Sequence, residues 1–164
     1  MTRFSASNDS KAVVEADRSK IWAVLTDPDL LAELTPLLRR IDVDGEMWRW
    51  QLIRLSAAGV GVSTTFTERM HFDEGRRIEF SHEPPKGTTE RTGVNGFYDL
   101  SDADGGTALH IRLTMHVDLP LSRAAKPVVV GTMNRAMRHT GDRFAANLLK
   151  HLGIPPDRQR KVSS

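Results

Sequence analysis

The sequence predicts an α+β domain in which a curved, seven-stranded antiparallel sheet wraps around one long C-terminal helix. Residues 38–119 alternate apolar and polar side chains in short runs separated by tight turns, which is typical of successive antiparallel strands. Residues 122–152 instead repeat apolar side chains at helical spacing. A one-sided sheet and a one-sided helix bury their apolar faces most simply against each other.

The N-terminal segment predicts one strand followed by two short helices. The strand covers residues 3–15. The first helix begins at Asp17 or Arg18, and the Asp17 carboxylate can accept hydrogen bonds from its free amides. Asp27 caps a second helix over residues 29–34 in the same way.

Six further strands and the long helix follow, and turn-forming residues separate the strands. The strands are predicted at residues 40–44, 47–55, 62–72, 77–82, 92–100 and 108–118. Pro84 and Pro85 place a loop between the fourth and fifth of these, because proline does not fit a sheet interior. The helix ends at Gly153, a residue suited to the turn after a helix.

Length and composition favour one domain and exclude several kinds of chemistry. With 164 residues, we expect a single ligand-binding domain at residues 1–154 and a disordered basic tail at residues 155–164. The absence of cysteine excludes disulfides, cysteine nucleophiles and thiolate metal sites. The net charge of +2 is too small to indicate nucleic-acid binding. No membrane-spanning segment or signal peptide is predicted, so a cytoplasmic location is expected.

The opening of the chain resembles a known superfamily. Residues 13–28 read VVEADRSKIWAVLTDP, with an apolar strand end, a helix carrying Trp22 and Leu25, and a break at Asp27-Pro28. Together with the long terminal helix, this opening resembles the START-like or SRPBCC superfamily of helix-grip proteins, which includes polyketide cyclase/dehydrase-like proteins. The resemblance covers almost the whole chain.

The resemblance implies a cavity between the sheet and the long helix. Such a cavity suits lipids, polyketides, sterols or aromatic rings, so the expected partner is a small hydrophobic ligand. No cofactor, nucleic acid or integral membrane segment is implied, and a monomer or a homodimer is expected. The fold alone does not decide between binding and catalysis.

Three polar residues are candidates for chemistry or for ligand recognition. Glu68 shares the parity of Phe66 and Met70, so it is predicted to face the apolar side of the sheet as a general acid or base, unless a bulge turns it to solvent. The Tyr98 hydroxyl would donate a hydrogen bond to a ligand, or the ring would pack in the core with its hydroxyl in contact with water. Arg54 would pair with Glu68 or bind a ligand carboxylate, or would lie at the rim.

Large apolar side chains on both layers are candidate cavity walls, although the same residues would also make an ordinary core. They are Trp48, Trp50, Phe66, Met70 and Phe80 on the strands, and Met133, Met137 and Phe144 on the long helix. The 6 histidines form no metal-binding motif, so no metal site is expected.

Three functions fit these observations. The first is a carrier or sensor that binds a small apolar ligand without chemistry. The second is a cyclase or dehydratase that uses Glu68 or Tyr98 for proton transfer. The third is an interaction module, for example at a membrane surface, that uses the basic residues 158–161.

Overall fold

The structure is a computed structural model that describes residues 1–155 and 160–161. Its strands are β1 (Thr2–Val14), β2 (Leu38–Asp44), β3 (Met47–Leu52), β4 (Leu55–Ala57), β5 (Val60–Val62), β6 (Thr65–Asp73), β7 (Arg77–His82), β8 (Thr92–Ala103), β9 (Gly106–Leu119) and β10 (Arg160–Lys161). Its helices are α1 (Arg18–Leu25), α2 (Pro28–Leu34) and α3 (Lys126–His151), with a 3-10 turn at Arg123–Ala125.

One antiparallel sheet contains the seven long strands, and it confirms the predicted fold class. The strand order is β10-β1-β9-β8-β7-β6-β3-β2, so the first and last long strands of the chain lie side by side. The short β10 pairs with Ala12 and Val13 of β1. At the opposite edge, the register between β2 and β3 shifts between Leu38 and Arg40, which leaves Arg39 as a bulge.

The two short helices follow the prediction, but their caps differ. The Asp27 side chain accepts from the amides of Asp29 and Leu30, at 3.0 and 3.1 Å, as expected for an N-cap. Asp17 occupies the N-cap position of α1, but its side chain makes no capping hydrogen bond. Asn147 of α3 donates to the carbonyl oxygen of Leu34 at 2.9 Å and ties α2 to the long helix.

The predicted strands at 47–55 and 62–72 are too long. The chain leaves the main sheet after Leu52 and returns at Thr65, and in between β4 and β5 form a separate hairpin. Its turn residues, Ala58 and Gly59, have φ values of 51° and 77°, which fit the tight turns that match strand twist. Ala57 of this hairpin is buried against α3 residues such as Met133.

The core consists of two main clusters that meet in the middle of β9. One lies beneath α1 and the aromatic strands, and the other lies between the β1 end of the sheet and the first half of α3. Leu113 and Met115 pack against both clusters. The sheet and α3 therefore form the two layers that the apolar patterns predict.

The tail expected to be disordered, residues 155–164, falls mostly outside the described residues. Within it, the backbone of Arg160–Lys161 forms β10. None of the described helices is long and apolar enough to cross a membrane.

Candidate ligand-binding site on the concave face

The inner face of β6 is apolar except at Glu68. Phe66 and Met70 flank Glu68 on the same face of β6 and are 4% and 2% exposed. Glu68 is itself only 2% exposed, and Trp48 of β3 lies opposite it in the register. The alternation along β6 therefore predicts the correct face for this carboxyl group.

One oxygen of the Glu68 carboxyl group has no hydrogen bond from the described part of the protein. Its Oε2 atom is fully enclosed and has no hydrogen-bond partner among the described residues. Burial raises its pKa well above the usual range, and the nearby Trp50 indole opposes this rise only in part. The environment thus favours the protonated, neutral carboxyl group, which can donate a hydrogen bond.

Trp50 places a second unsatisfied polar atom in the same region. Its ring stacks on Phe66, with centroids 6.1 Å apart and an interplanar angle of 7°. The indole Nε1 is enclosed and has no partner among the described residues. The indole lies close enough to Glu68 to lower its pKa, yet neither Nε1 nor Oε2 makes a hydrogen bond of good geometry, so a polar ligand atom would be favourable here.

Tyr98 adds a third polar group on β8. Its ring packs against Phe80 at a centroid distance of 5.1 Å, and its hydroxyl makes no hydrogen bond with the described residues. Burial raises the pKa of Tyr98, and ionisation of Glu68 would raise it further. Tyr98 and Glu68 therefore share one electrostatic environment, and the phenol stays protonated.

Several side chains between the central strands and α3 are incompletely buried. Five residues of the two facing layers are only half-buried, although they pack against the core: Tyr98, Ile111, Leu113, Met115 and Phe144. A closely packed interior would bury such side chains completely. The centre of the molecule is therefore the place where a guest molecule needs the least rearrangement.

The other predicted wall residues fall into the two core clusters. Trp48 and Phe80 are buried near Glu68, while Met133 and Met137 are buried beside Phe4 and Ala6 of β1. Arg54 needs a correction: it lies after the end of β3, it is exposed, and it forms no ion pair with Glu68. Its parity with Trp50 is lost because the strand ends at Leu52.

Two open clefts lie at the surface. One, of about 550 Å³, is lined by residues 1–5 with Arg123 and Lys126. The other, of about 630 Å³, lies between residues 60–63, Thr89, Arg91 and the end of β9. Neither cleft is lined by the residues predicted for the interior pocket.

A second buried polar cluster lies on the convex face, and sequence reasoning missed it. It consists of Thr67, His82, Glu90 and His116. The four residues are far apart in sequence, and only the fold brings them together. The one local signal is Pro84-Pro85, which ends β7 and lets the following loop fold back over the sheet.

Within residues 1–155, no group of three or more histidine, aspartate or glutamate side chains is placed to hold a metal ion.

A curved antiparallel sheet around one long helix, with two short helices between the first two strands, defines the helix-grip class of ligand-binding domains. The chain belongs to the family described as polyketide cyclase/dehydrase and lipid transport, whose model matches residues 1–149. Membership of this family fits a role in binding a hydrophobic ligand or in cyclisation.

Solved structures share the fold at low sequence identity. The Zhui aromatase/cyclase from Streptomyces sp. R1128 is 14% identical, with a TM-score of 0.61, over 92% of this chain and 93% of that one. A START superfamily protein from Mycobacterium smegmatis is 13% identical, with a TM-score of 0.60, over 90% and 95%. One di-domain aromatase/cyclase, StfQ from the steffimycin pathway, is 15% identical, with a TM-score of 0.63, over 92% and 53%. No curated protein matches the chain.

Proposed function

We propose that this protein binds a small, uncharged apolar ligand that carries a hydrogen-bond-accepting oxygen, and that it acts as a carrier or sensor. The ligand lies between the concave face of the sheet and α3. One observation carries the proposal: Glu68 Oε2 and Trp50 Nε1 are enclosed without a hydrogen-bond partner among the described residues, and Tyr98 lies in the same electrostatic environment.

The three groups have the same hydrogen-bonding character. The indole N–H is a donor only, and the phenol and the neutral carboxyl group each hold a proton to donate. A carbonyl oxygen, as in a ketone, a quinone or an ester, accepts such bonds without bringing a charge into the interior. Such a ligand would satisfy polar groups whose burial is otherwise costly.

The interior does not suit a charged ligand. The buried polar or charged side chains of the described residues are Thr67, Glu68, Thr92, Thr107 and His116, so no lysine or arginine is buried there. A ligand carboxylate placed beside Glu68 would have no countercharge. We therefore expect neutral ligands to bind more tightly than acids with the same ring skeleton.

A cyclase or dehydratase is the second candidate, and the state of Glu68 favours it. A carboxyl group with a raised pKa can act as a general acid near neutral pH, and Tyr98 shares its environment. In this reading, Glu68 protonates the oxygen of a bound carbonyl substrate. The same geometry serves both functions, so they are distinguished by whether the protein converts the bound ligand.

A matched ligand series tests the binding proposal. Fluorenone, fluorene and fluorene-9-carboxylate share one ring skeleton and differ in the oxygen group, and each can be titrated by displacement of the neutral dye Nile red. We expect fluorenone to bind most tightly. Tyr98→Phe should weaken fluorenone by about fivefold, the value of one hydrogen bond of about 1 kcal/mol, and leave fluorene unchanged.

The control is Thr114→Val, which removes a hydroxyl from the convex face, where it contacts Ser7. It should change the affinity of neither ligand. Equal affinities for all three ligands, or an equal effect of Tyr98→Phe on fluorene, would contradict the proposal. Native mass spectrometry of the purified protein then identifies any ligand that co-purifies. If that ligand is converted, Glu68→Gln should retain its affinity while turnover falls about 10²–10⁴-fold.

A further inference from the structure

The loop at residues 83–91 is held to the sheet by a side chain that replaces a strand. β7 ends before Pro84, and the last ladder contact is the Glu83 amide donating to the Thr67 carbonyl oxygen at 2.9 Å. The Thr67 amide would donate back to a strand carbonyl, but it donates to Glu90 Oε2 at 2.7 Å. The Glu90 carboxylate thus takes the place of a backbone acceptor where the strand is interrupted.

Glu90 is fully engaged and buried. Its other oxygen, Oε1, accepts from the Thr67 hydroxyl at 2.7 Å, and His82 Nε2 lies 3.0 Å from Oε2. The side chains of His82 and Glu90 are only 10% and 9% exposed. Hydrogen bonds to a buried carboxylate are stronger than neutral ones, so this contact fixes the loop firmly.

His116 of β9 lies directly against this group. Its ring contacts the His82 ring, with centroids 5.0 Å apart, and its Nε2 atom is enclosed without a partner among the described residues. Gly93 of β8 makes room for both rings, because a Cβ there would lie 2.4 Å from atoms of each. The glycine, the two histidines and Glu90 therefore form one packed unit.

The same loop forms one wall of the larger surface cleft. Thr89 and Arg91 line it, opposite residues 60–63 of the β4–β5 hairpin. The Arg91 carbonyl accepts from the Asp118 amide at 2.7 Å, and the Thr92 hydroxyl donates to the Ser63 carbonyl at 2.8 Å. Since the hairpin packs on α3, this cleft borders both the sheet and the helix layer.

We infer that Glu90 is a positioning residue that holds the 83–91 loop as the fixed wall of the ligand entrance, and that protonation of His116 in mild acid releases it. The inference rests on the proposed ligand-binding function and adds a control of ligand release. Glu90 contacts no ligand; it acts through Thr67, His82 and the loop.

The surrounding charges set the direction of the pH effect. Arg3 and Asp118 form an ion pair beside His116, and Arg69 pairs with Glu83 at the exposed start of the loop. Burial lowers the pKa of His116, Arg3 and His82 lower it further, and Asp118 opposes this only in part. The ring is therefore neutral at pH 7. Because the buried ring resists protonation, this part of the fold loses stability as the pH falls through the unfolded pKa of histidine, and an opening of the loop that exposes the ring to water becomes more favourable.

Two measurements on the full chain test the inference. The first is the rate at which bound Nile red dissociates between pH 7.5 and pH 5, and the second is amide hydrogen exchange of residues 83–91 over the same range. In the wild type both rates should rise as the pH falls. Glu90→Ala should accelerate both by about tenfold at pH 7.5, which corresponds to about 1.4 kcal/mol.

His116→Gln should make both rates independent of pH between 5 and 7.5, with the slow rates retained. His71→Gln is the matched control: His71 is exposed on the same face of the sheet, outside the cluster, and its replacement should leave the pH profile unchanged. A pH profile that persists in His116→Gln, or Glu90→Ala with unchanged rates, overturns the inference.

Failure of the inference about release can be distinguished from failure of the proposed ligand binding. If the wild type binds neither Nile red nor fluorenone, the proposed function fails, while hydrogen exchange of the loop still tests whether Glu90 and His116 control its opening. If the dye binds and the loop exchanges at rates independent of Glu90, only the inference about release fails.

Discussion

Two buried carboxyl groups on opposite faces of the sheet meet opposite surroundings. Glu68 of β6 points to the concave face and has an unpartnered oxygen, whereas Glu90 reaches the convex face at the neighbouring residue, Thr67, and accepts three hydrogen bonds. One residue along a strand therefore separates an unsatisfied acid from a fully satisfied carboxylate.

The contrast distinguishes a carboxylate that stabilises the fold from a carboxyl group that is available to a ligand. Glu90 completes a hydrogen-bond ladder that the chain itself interrupts, so its role is fulfilled without a ligand. Glu68 gains nothing from its protein neighbours except partial relief from Trp50, so its burial costs stability. A buried acid that costs stability and lies between two apolar layers is a candidate for ligand recognition.

The largest expected effect concerns the convex cluster. Gly93→Ala would place a methyl group 2.4 Å from both histidine rings and force them apart. We expect a loss of about 3 kcal/mol of unfolding free energy, the upper range for overpacking. The control is Gly61→Ala, where nothing lies within 4 Å, and it should change stability by less than about 0.5 kcal/mol. Urea denaturation measures both, and equal stabilities would contradict the packed unit.

Glu90→Gln keeps the shape of the side chain and removes its charge. One of its two oxygens becomes an amide that cannot accept from Thr67 or His82, so we expect a loss of about 2 kcal/mol. Glu83→Gln is the matched control, because Glu83 is exposed and pairs with Arg69 at the surface. It should cost less than about 1 kcal/mol. If the two variants melt at the same temperature, Glu90 is not the stronger anchor.

Glu68→Gln should have the opposite sign. A raised pKa in the folded state means that Glu68 stabilises the fold below its unfolded pKa, and that this contribution is lost as the pH rises through the folded pKa. The neutral amide avoids that loss, so the variant should be more stable than the wild type by about 1 kcal/mol at pH 8. The difference should shrink near pH 4. Thermal melts across this range check the sign. A variant that is less stable than the wild type at pH 8 would contradict the claim that the burial of Glu68 costs stability.

Trp50→Phe should have the smallest effect on the free protein. It removes an N–H that has no partner and retains a ring to pack on Phe66. We expect a change in stability below about 1 kcal/mol together with a several-fold loss of fluorenone affinity. Trp22 lies on α1 and is not one of the three proposed ligand-contacting residues, so Trp22→Phe should leave that affinity unchanged. A loss of stability without a loss of affinity would make Trp50 an ordinary core residue.

Sequence periodicity predicts most of this fold and one part of the site. The alternation in β9 and the helical spacing in α3 persist over many residues, so their faces can be predicted, and the parity of β6 places Glu68 correctly. The β4–β5 hairpin escapes prediction because its strands have only three residues each. The parity argument fails at Arg54 because β3 ends at Leu52, so the alternation of side chains no longer applies there.

The convex cluster could not be predicted because no periodic pattern encodes it. Glu90 acts as a strand acceptor only because β7 ends before Pro84. His82 is paired in register with Glu68, yet its amide bonds to the Asn95 side chain and its ring lies against His116, beside Gly93. Contacts between residues far apart in the chain, made at a break in regular structure, are visible only in three dimensions.

The bulge at the outer edge of the sheet bears on how this protein behaves in concentrated solution. An unprotected edge strand is a template on which the strands of other copies can assemble. Here the register shift at Arg39 bends β2, and the exposed charges of Arg40 and Asp42, 3.4 Å apart, follow it. Stacking of copies along this edge would have to flatten the bulge and desolvate these charges. We therefore expect the folded molecule to resist fibril formation through β2.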